Sequence, residues 1–144
     1  MKKKFTNNDI VTMYNVLNNL KGRADIVVGD ADIFWANCLN LDALKEKVDK
    51  FQKVVNSITE SYFTEEVTHV EKNSSGEEIR VLNDDVKEEV LNKLQKEINS
   101  LTAKEVSVDI ETIPKEAIKE MVKANEKSMT YLEMTVMRQF VEEG

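Results

Sequence analysis

The longest regular pattern in the chain runs from Leu41 to Tyr62, where apolar residues recur at alternating steps of three and four. The series is Leu41, Leu44, Val48, Phe51, Val55, Ile58 and Tyr62. This is the spacing of the a and d positions of a heptad repeat, which form one apolar row along an α-helix. With Asp30 or Asp32 as its cap, the pattern predicts a helix over residues 30–62. Its stretch from Asp32 to Ser61 would run roughly 45 Å at 1.5 Å rise per residue. A helix this long needs its apolar row covered by the rest of the chain or by a second copy.

Helical spacing of apolar residues predicts three more helices, over residues 8–21, 84–101 and 115–142. Side chains that can cap the first and second of these precede them, at Thr6–Asn8 and Asn83–Asp85. Gly22 is placed to end the helix over 8–21 in a left-handed conformation, and Pro114 suits the start of the last helix. The last helix again approaches heptad spacing, so we expect it to pack antiparallel against the helix over 30–62.

Two segments change to the alternating pattern of β-strands. Residues 66–82 contain two such runs around the turn-forming Lys72–Glu77, and predict a hairpin. In residues 104–112, Val106, Val108 and Ile110 alternate with polar residues and predict a third strand. A two-stranded hairpin is only marginally stable in water, so we expect the third strand to join it. The predicted fold is α+β and mainly α, with two long antiparallel helices, two shorter helices and a small three-stranded antiparallel sheet, in a single domain over residues 1–144.

Composition fits few, long elements. The chain has 144 residues, of which 41% are apolar and 33% charged, with four Gly and one Pro. The single Cys38 excludes an intramolecular disulfide and is compatible with a reducing cytoplasm. No apolar run approaches the roughly 20 residues that span a bilayer, so we expect no membrane partner. The start is basic but lacks the apolar stretch of a signal peptide, so we expect none.

The net charge of −7 is concentrated in the second part of the chain. Residues 1–62 carry nine Lys and Arg against eight Asp and Glu, whereas residues 63–144 carry eleven against nineteen. This acidity disfavours nucleic acid as a partner, because phosphate contacts supply most of that affinity. It would suit a partner with a basic face, although solubility is the simpler reason for it.

The residue types needed for catalysis are too scarce to form a site. The chain has one His and one Cys, His69 and Cys38, in separate predicted elements, so we expect neither a nucleophile with its base nor a zinc site. Gly-rich phosphate loops and EF-hand spacing are also lacking. Neighbouring acidic residues are explained by helix dipoles and solvated faces. We therefore predict no enzyme activity, no cofactor and no metal.

Three groups of residues are candidates for an interaction surface. Phe34 and Trp35 give the long helix an unusually wide apolar start, which we expect to be buried, whereas an exposed Trp35 would indicate a binding hot spot. Met134 and Met137 are expected to fill the core, and would form an adaptable binding face if both were exposed. The third group is acidic: Glu65, Glu66, Glu77 and Glu78.

Taken together, the layout resembles a family of small phage and prophage proteins of Gram-positive bacteria, which is catalogued as a domain of unknown function. Five segments carry the likeness: residues 5–10 with the apolar stripe that follows, 60–62, the hairpin around Gly76, 93–101 and 105–110. The resemblance covers most of residues 4–113. It implies a place in the late region of a phage genome, near tail and lysis genes, and it supplies no catalytic residue.

The chain departs from that family in residues 34–38 and in its Met-rich C-terminal part. From the long heptad row, we expect a non-enzymatic phage protein that acts by protein–protein contact, in virion assembly or as a tail-associated component, and that forms homo-oligomers. The alternative is a small acidic inhibitor of a host defence system that binds a basic surface. Both would place the protein in the cytoplasm of a bacterial host, and the first also in the virion.

Overall fold

The computed structural model describes residues 1–142 and has a mainly helical α+β fold, which confirms the predicted class. The helices are α1 (Asn7–Lys21), α2 (Ala31–Tyr62), α3 (Lys87–Thr102), α4 (Lys115–Ala124) and α5 (Tyr131–Arg138). The strands are β1 (Lys2–Thr6), β2 (Thr68–Lys72), β3 (Glu78–Leu82) and β4 (Glu105–Asp109). Each strand has one partner: β1 pairs antiparallel with β4, and β2 pairs antiparallel with β3.

The chain divides into two compact units. The first unit comprises Met1–Asp49 and the chain from Glu105 onward, and the second comprises Lys50–Lys104. Helix α2 begins in the first unit and continues into the second. The expectation of one domain over the whole chain stays a prediction.

The first unit contains a well-packed apolar core. Helix α1 starts where the Thr6 hydroxyl accepts a hydrogen bond from the Asp9 N–H at 3.1 Å, the cap expected for this residue type. Its inward face packs with α5 and β1. The fully buried core side chains come from all parts of the unit: Ile10, Leu17, Ile33, Leu44, Val108, Ile110, Ile113, Met137 and Phe140.

Two buried asparagines attach irregular segments to this core. The Asn40 amide on α2 donates to the carbonyl of Glu111 at 2.9 Å and accepts from the Glu111 N–H at 2.7 Å. The Asn125 amide donates to the Val27 carbonyl at 2.6 Å and accepts from the Val27 N–H at 2.7 Å. It also donates to the Met121 carbonyl. Each side chain thus pairs with a backbone N–H and C=O that lack a strand partner, as buried peptide groups require.

The second unit has a much thinner core. It consists of the last turns of α2, the β2–β3 hairpin and α3. Leu82 and Leu94 are its buried apolar residues, and the remaining apolar side chains are half-buried or exposed. Gly76 at the hairpin tip has a φ of 81°, a left-handed conformation that glycine adopts without a steric penalty.

The prediction of a three-stranded sheet was wrong. The strand predicted over 104–112 exists as β4, but it pairs with β1, a strand that was not predicted. Only one apolar residue, Phe5, marks β1, and it is buried opposite Val106. The β2–β3 hairpin, predicted over 66–82, is confirmed as a separate two-stranded sheet.

The prediction of a single long helix over 115–142 was also wrong, because two shorter helices, α4 and α5, stand in its place. The predicted pair of long antiparallel helices is therefore wrong as well. Helix α4 ends at Ala124, and the side-chain amide of the next residue, Asn125, donates a hydrogen bond to the Met121 carbonyl. Helical structure resumes at α5. Thr130 and Glu133 form a capping box there: the Thr130 hydroxyl accepts from the Glu133 N–H, and the Glu133 carboxylate accepts from the Thr130 N–H. This Thr-x-x-Glu spacing is visible in the sequence and could have located the break.

Smaller differences concern helix ends. Helix α3 starts at Lys87, three residues later than predicted, and Val86 precedes it without a side-chain cap. The Asn83 side chain, expected to cap this helix, forms a hydrogen bond with His69. Gly22 has a φ of −95°, so it is not left-handed. At the start of α2, the Asp30 carboxylate accepts from the Asp32 N–H at 2.8 Å, which identifies Asp30 as the cap.

Candidate interaction surfaces

Helix α2 presents two apolar faces over its first turns. One face, Ile33, Ala36 and Leu44, is buried in the first unit, together with Asn40. The other face is exposed and consists of Phe34, Trp35, Cys38 and Leu39, which we call the Trp35 face. Trp35 is 68% exposed and Phe34 is 57% exposed. The first turns of α2 therefore carry an apolar surface that the described residues do not cover.

The expected burial of Trp35 and Phe34 was wrong, and helix geometry explains why. Successive residues turn by about 100° around a helix axis. Ile33 and Ala36 point into the core, so Trp35, about 200° from Ile33, must point away from it. A segment of consecutive apolar residues cannot be buried on one side of a helix, and the sequence alone does not say which of them will face out.

An ion-pair cluster holds the start of α5 in the first unit. The Arg23 guanidinium binds both oxygens of the Glu133 carboxylate, at 2.7 and 2.8 Å, and also Asp25 and the Ser128 carbonyl. Burial alone would raise the pKa of Glu133, but hydrogen bonds from Thr130 and Arg23 outweigh it and lower that pKa. The carboxylates of Asp25 and Glu133 raise the pKa of Arg23. Each charged group in the cluster has an intramolecular partner, so we assign the cluster a structural role, which is to attach the start of α5 to the segment around Arg23.

The two methionines have different environments. Met137 is completely buried in the core, whereas Met134 is partly buried. They do not form an exposed pair, so the methionine binding face is not present. Met134 instead lines an open groove of about 900 Å³ beside α4 and α5.

The four candidate carboxylates are all exposed in the second unit, but they do not form one cluster. Glu65 and Glu66 lie in the turn before β2, and Glu77 and Glu78 lie at the start of β3. Glu78 pairs with Lys72, the last residue of β2, whereas Leu82 pairs with the first. The two pairs therefore sit at opposite ends of the hairpin, about 13 Å apart for four residues of strand.

The heptad row of α2 changes its environment along the helix. Leu44 is completely buried in the first unit, with Leu41 and Val48 packed beside it. In the second unit, by contrast, every member of the row is only half-buried: Phe51, Val55, Ile58 and Tyr62. Burial and the neighbouring Glu97 carboxylate on α3 raise the pKa of Tyr62, which places the end of α2 beside α3.

Helix α3 contributes a second apolar row to the same unit. Its members are Val90, Leu94, Ile98 and Leu101, of which only Leu94 is buried. We call the half-buried apolar residues of the two helices the α2–α3 seam: Phe51, Val55, Ile58, Tyr62, Val90, Ile98 and Leu101. The seam is the largest set of incompletely covered apolar side chains at regular spacing in the second unit.

Neither of the two residues with reactive side chains has a catalytic arrangement. The His69 ring bonds Asn83 at 2.6 Å and Glu71 at 2.7 Å on the hairpin surface, and these bonds raise its pKa. Cys38 is exposed on α2. In residues 1–142, no group of three or more His, Cys, Asp or Glu side chains is arranged to hold a metal ion.

Comparisons with protein-family models, with curated proteins and with solved structures found no match. Among the helices of residues 1–142, none has the length and apolar character needed to cross a membrane.

Proposed function

We propose that this chain is a non-enzymatic protein that works through protein–protein contact, and that it self-associates through the α2–α3 seam. The observation that carries the proposal is the half-burial of two regularly spaced apolar rows on neighbouring helices. Rows of this kind are the a and d positions that a coiled-coil or bundle partner covers.

The second unit has a physical need for such a partner. It has 55 residues, Lys50–Lys104, and only Leu82 and Leu94 are buried apolar residues. Units of this size bury a smaller fraction of their surface than larger domains do, and oligomerisation is one of the ways in which they are stabilised. A second copy offers the same two rows, so a two-fold contact would be self-complementary and closed.

The Trp35 face supports the wider claim of a protein-binding role. Trp is among the residues most enriched at binding hot spots, and contiguous exposed apolar patches mark interaction sites. Together with the resemblance to small phage proteins, this favours a role in virion assembly or as a tail-associated component, in the host cytoplasm or the virion.

Size-exclusion chromatography with light scattering tests self-association directly, at low and at high salt. We expect a dimer or larger species at both, because an apolar contact persists in salt that screens exposed charges. A monomer at both salt concentrations, over a wide range of protein concentration, would overturn the proposal.

Two neighbouring valines provide a matched pair of variants. Val55 belongs to the α2–α3 seam, whereas Val54 is exposed and lies off it. We expect Val55→Glu to shift the protein to a smaller species and Val54→Glu to leave the mass unchanged. Far-ultraviolet circular dichroism of both variants separates loss of assembly from loss of folding. Equal masses for two folded variants would count against the seam.

The alternative, an acidic inhibitor of a host defence protein, draws support from the exposure of Glu65, Glu66, Glu77 and Glu78. Their separation along the hairpin offers two acidic spots rather than one face. This alternative becomes the leading proposal if the chain is monomeric and charge reversal at Glu77 and Glu78 abolishes capture of a basic host nuclease.

A further inference from the structure

An open groove of about 900 Å³ lies beside α4 and α5 in the first unit. Its apolar lining comes from Ile118 and Val122 on α4, Met134 on α5, and Val141 beyond it. Ile118 is buried, whereas the other three are only partly covered. The volume lies within the range of ligand-binding pockets, roughly 300–1,000 Å³, which are mainly apolar with a few polar groups at the edge.

The edge of the groove is basic, although the whole chain is acidic. Three lysines follow one side of α4 at one-turn spacing, Lys115, Lys119 and Lys123, and Lys3 and Arg138 complete the set. Three carboxylates also line the groove, those of Glu116, Glu126 and Glu142, so the edge carries five cations against three anions. This local excess of positive charge contrasts with the net charge of −7 of the whole chain.

Three of these five cations have side chains without a hydrogen-bond or ion-pair partner in the described chain. Among residues 1–142, the side chains of Lys115, Lys123 and Arg138 make no hydrogen bond or ion pair, while the Lys119 ammonium has a long contact of 3.7 Å with the Glu116 carboxylate. Lys3 is held in place, because its ammonium donates to the Gln139 carbonyl at 3.1 Å. Apolar side chains bordered by unpaired cations match a ligand with an apolar body and an anionic group.

We propose that the groove beside α4 and α5 binds a small amphiphilic organic anion, with its apolar body on Val122, Met134 and Val141 and its anionic group at the lysines of α4. The segment of α4 that lines the groove from Lys115 to Lys123 is about 12 Å long, so the groove has the dimensions of a small ligand with a medium aliphatic chain rather than of a protein interface. A stable protein contact buries upward of about 1,000 Å² in total, more than a groove of two helical turns offers. This site is independent of the proposed self-association, which uses the second unit.

Dodecanoate, below its micelle concentration, is the probe. Titration of the full ¹⁵N-labelled chain should produce saturable chemical-shift changes concentrated in α4 and α5. Two comparison ligands isolate the two halves of the chemistry: dodecyltrimethylammonium has the same chain with a cationic group, and butanoate has the anionic group with almost no chain. We expect both to bind at least about fivefold more weakly, the factor for losing one contact between charges in water or more than one methylene of burial.

Lys123 and Lys127 provide the matched variants. Both are exposed, but Lys123 lines the groove and Lys127 lies in the turn beyond α4. Lys123→Glu should weaken dodecanoate binding at least about fivefold, and Lys127→Glu should change it less than about twofold. Light scattering with dodecanoate present should show an unchanged mass, which keeps this test separate from that of self-association.

Several results would overturn the assignment. These are no shift changes with dodecanoate, changes centred on the Trp35 face or the second unit, equal binding of the cationic surfactant, or equal effects of the two lysine variants. Binding of butanoate as tight as that of dodecanoate would reduce the site to a simple anion contact and would also overturn it.

Discussion

Two asparagines three residues apart on α2 have opposite hydrogen-bonding environments, so replacing them should change the stability of the fold in different directions. Asn40 is completely buried, and its amide forms two hydrogen bonds with the backbone of Glu111. Asn37 lies beside a small cavity of about 150 Å³, and its buried Oδ1 has no partner in the described chain. The same substitution, Asn to Leu, therefore removes a satisfied pair at one position and an unsatisfied oxygen at the other.

The expected magnitude follows from the hydrogen bonds. A typical intramolecular hydrogen bond contributes about 0.5–1.5 kcal/mol, and buried groups left unpaired cost more. Glu111 is exposed as a residue, so water recovers part of the loss. We expect Asn40→Leu to lower the free energy of unfolding by about 1–3 kcal/mol. Asn37→Leu should leave it unchanged or raise it by up to about 1 kcal/mol, since no bond is lost and apolar contact is gained.

Urea unfolding of both variants measures the difference, with the midpoint compared at equal denaturant slope. Amide hydrogen exchange adds a local readout: the Glu111 N–H should exchange faster in Asn40→Leu, and should be unchanged in Asn37→Leu. If Asn40→Leu were as stable as the wild type, or if Asn37→Leu were the more damaging variant, the role assigned to Asn40 would be refuted.

Three further predictions concern single side chains. Hydrogen bonds to Glu71 and Asn83 raise the pKa of His69, so protonation of His69 stabilises the folded state. This stabilisation is complete below the ordinary pKa of 6.5 and is lost as the pH rises through the higher pKa of the folded state. Titration by nuclear magnetic resonance should give a midpoint above 6.5 that falls in Glu71→Gln, and an unshifted midpoint would contradict this. Trp35→Ala should change the free energy of unfolding by less than about 0.5 kcal/mol, because the side chain is mostly exposed, and a larger loss in urea unfolding would show that it is packed. Thr130→Ala should lower the free energy of unfolding by about 1 kcal/mol, because α5 loses the hydroxyl that caps it. Thr130→Ser keeps the hydroxyl and is the control. Equal urea midpoints for the two variants would argue against the cap.

The sequence predicted the elements whose signals are local. Helix α2 was expected over residues 30–62 and is found at Ala31–Tyr62, because a heptad row is a property of consecutive turns. The hairpin around Gly76 was expected for the same reason, since turn-forming residues separate two β-favouring runs. The break between α4 and α5 was also marked locally, by the Thr130–Glu133 capping box, but the apolar spacing across it imitates a continuous helix.

The candidate surfaces were only partly predictable. Trp35 was named as a binding hot spot if exposed, and the structure exposes it. Met134 and Met137 were proposed together as a binding face if both were exposed. Met137 is completely buried in the core, whereas Met134 lines the groove. The groove itself was not predicted, although the one-turn spacing of Lys115, Lys119 and Lys123 is a signal that could have indicated a basic row on one side of α4.

By itself the sequence determined the helical class, the length of α2, the hairpin and the uneven charge, since all of these depend on residue type and short-range spacing. Tertiary structure decided which strand pairs with β4 and which face of the α2 start is covered. Strand partners far apart in the chain carry no local signal, because β1 contributes only one apolar residue to its pairing. Which side of an all-apolar turn faces inward depends on the surfaces that meet it, such as the backbone of Glu111 at Asn40 on the buried face of α2.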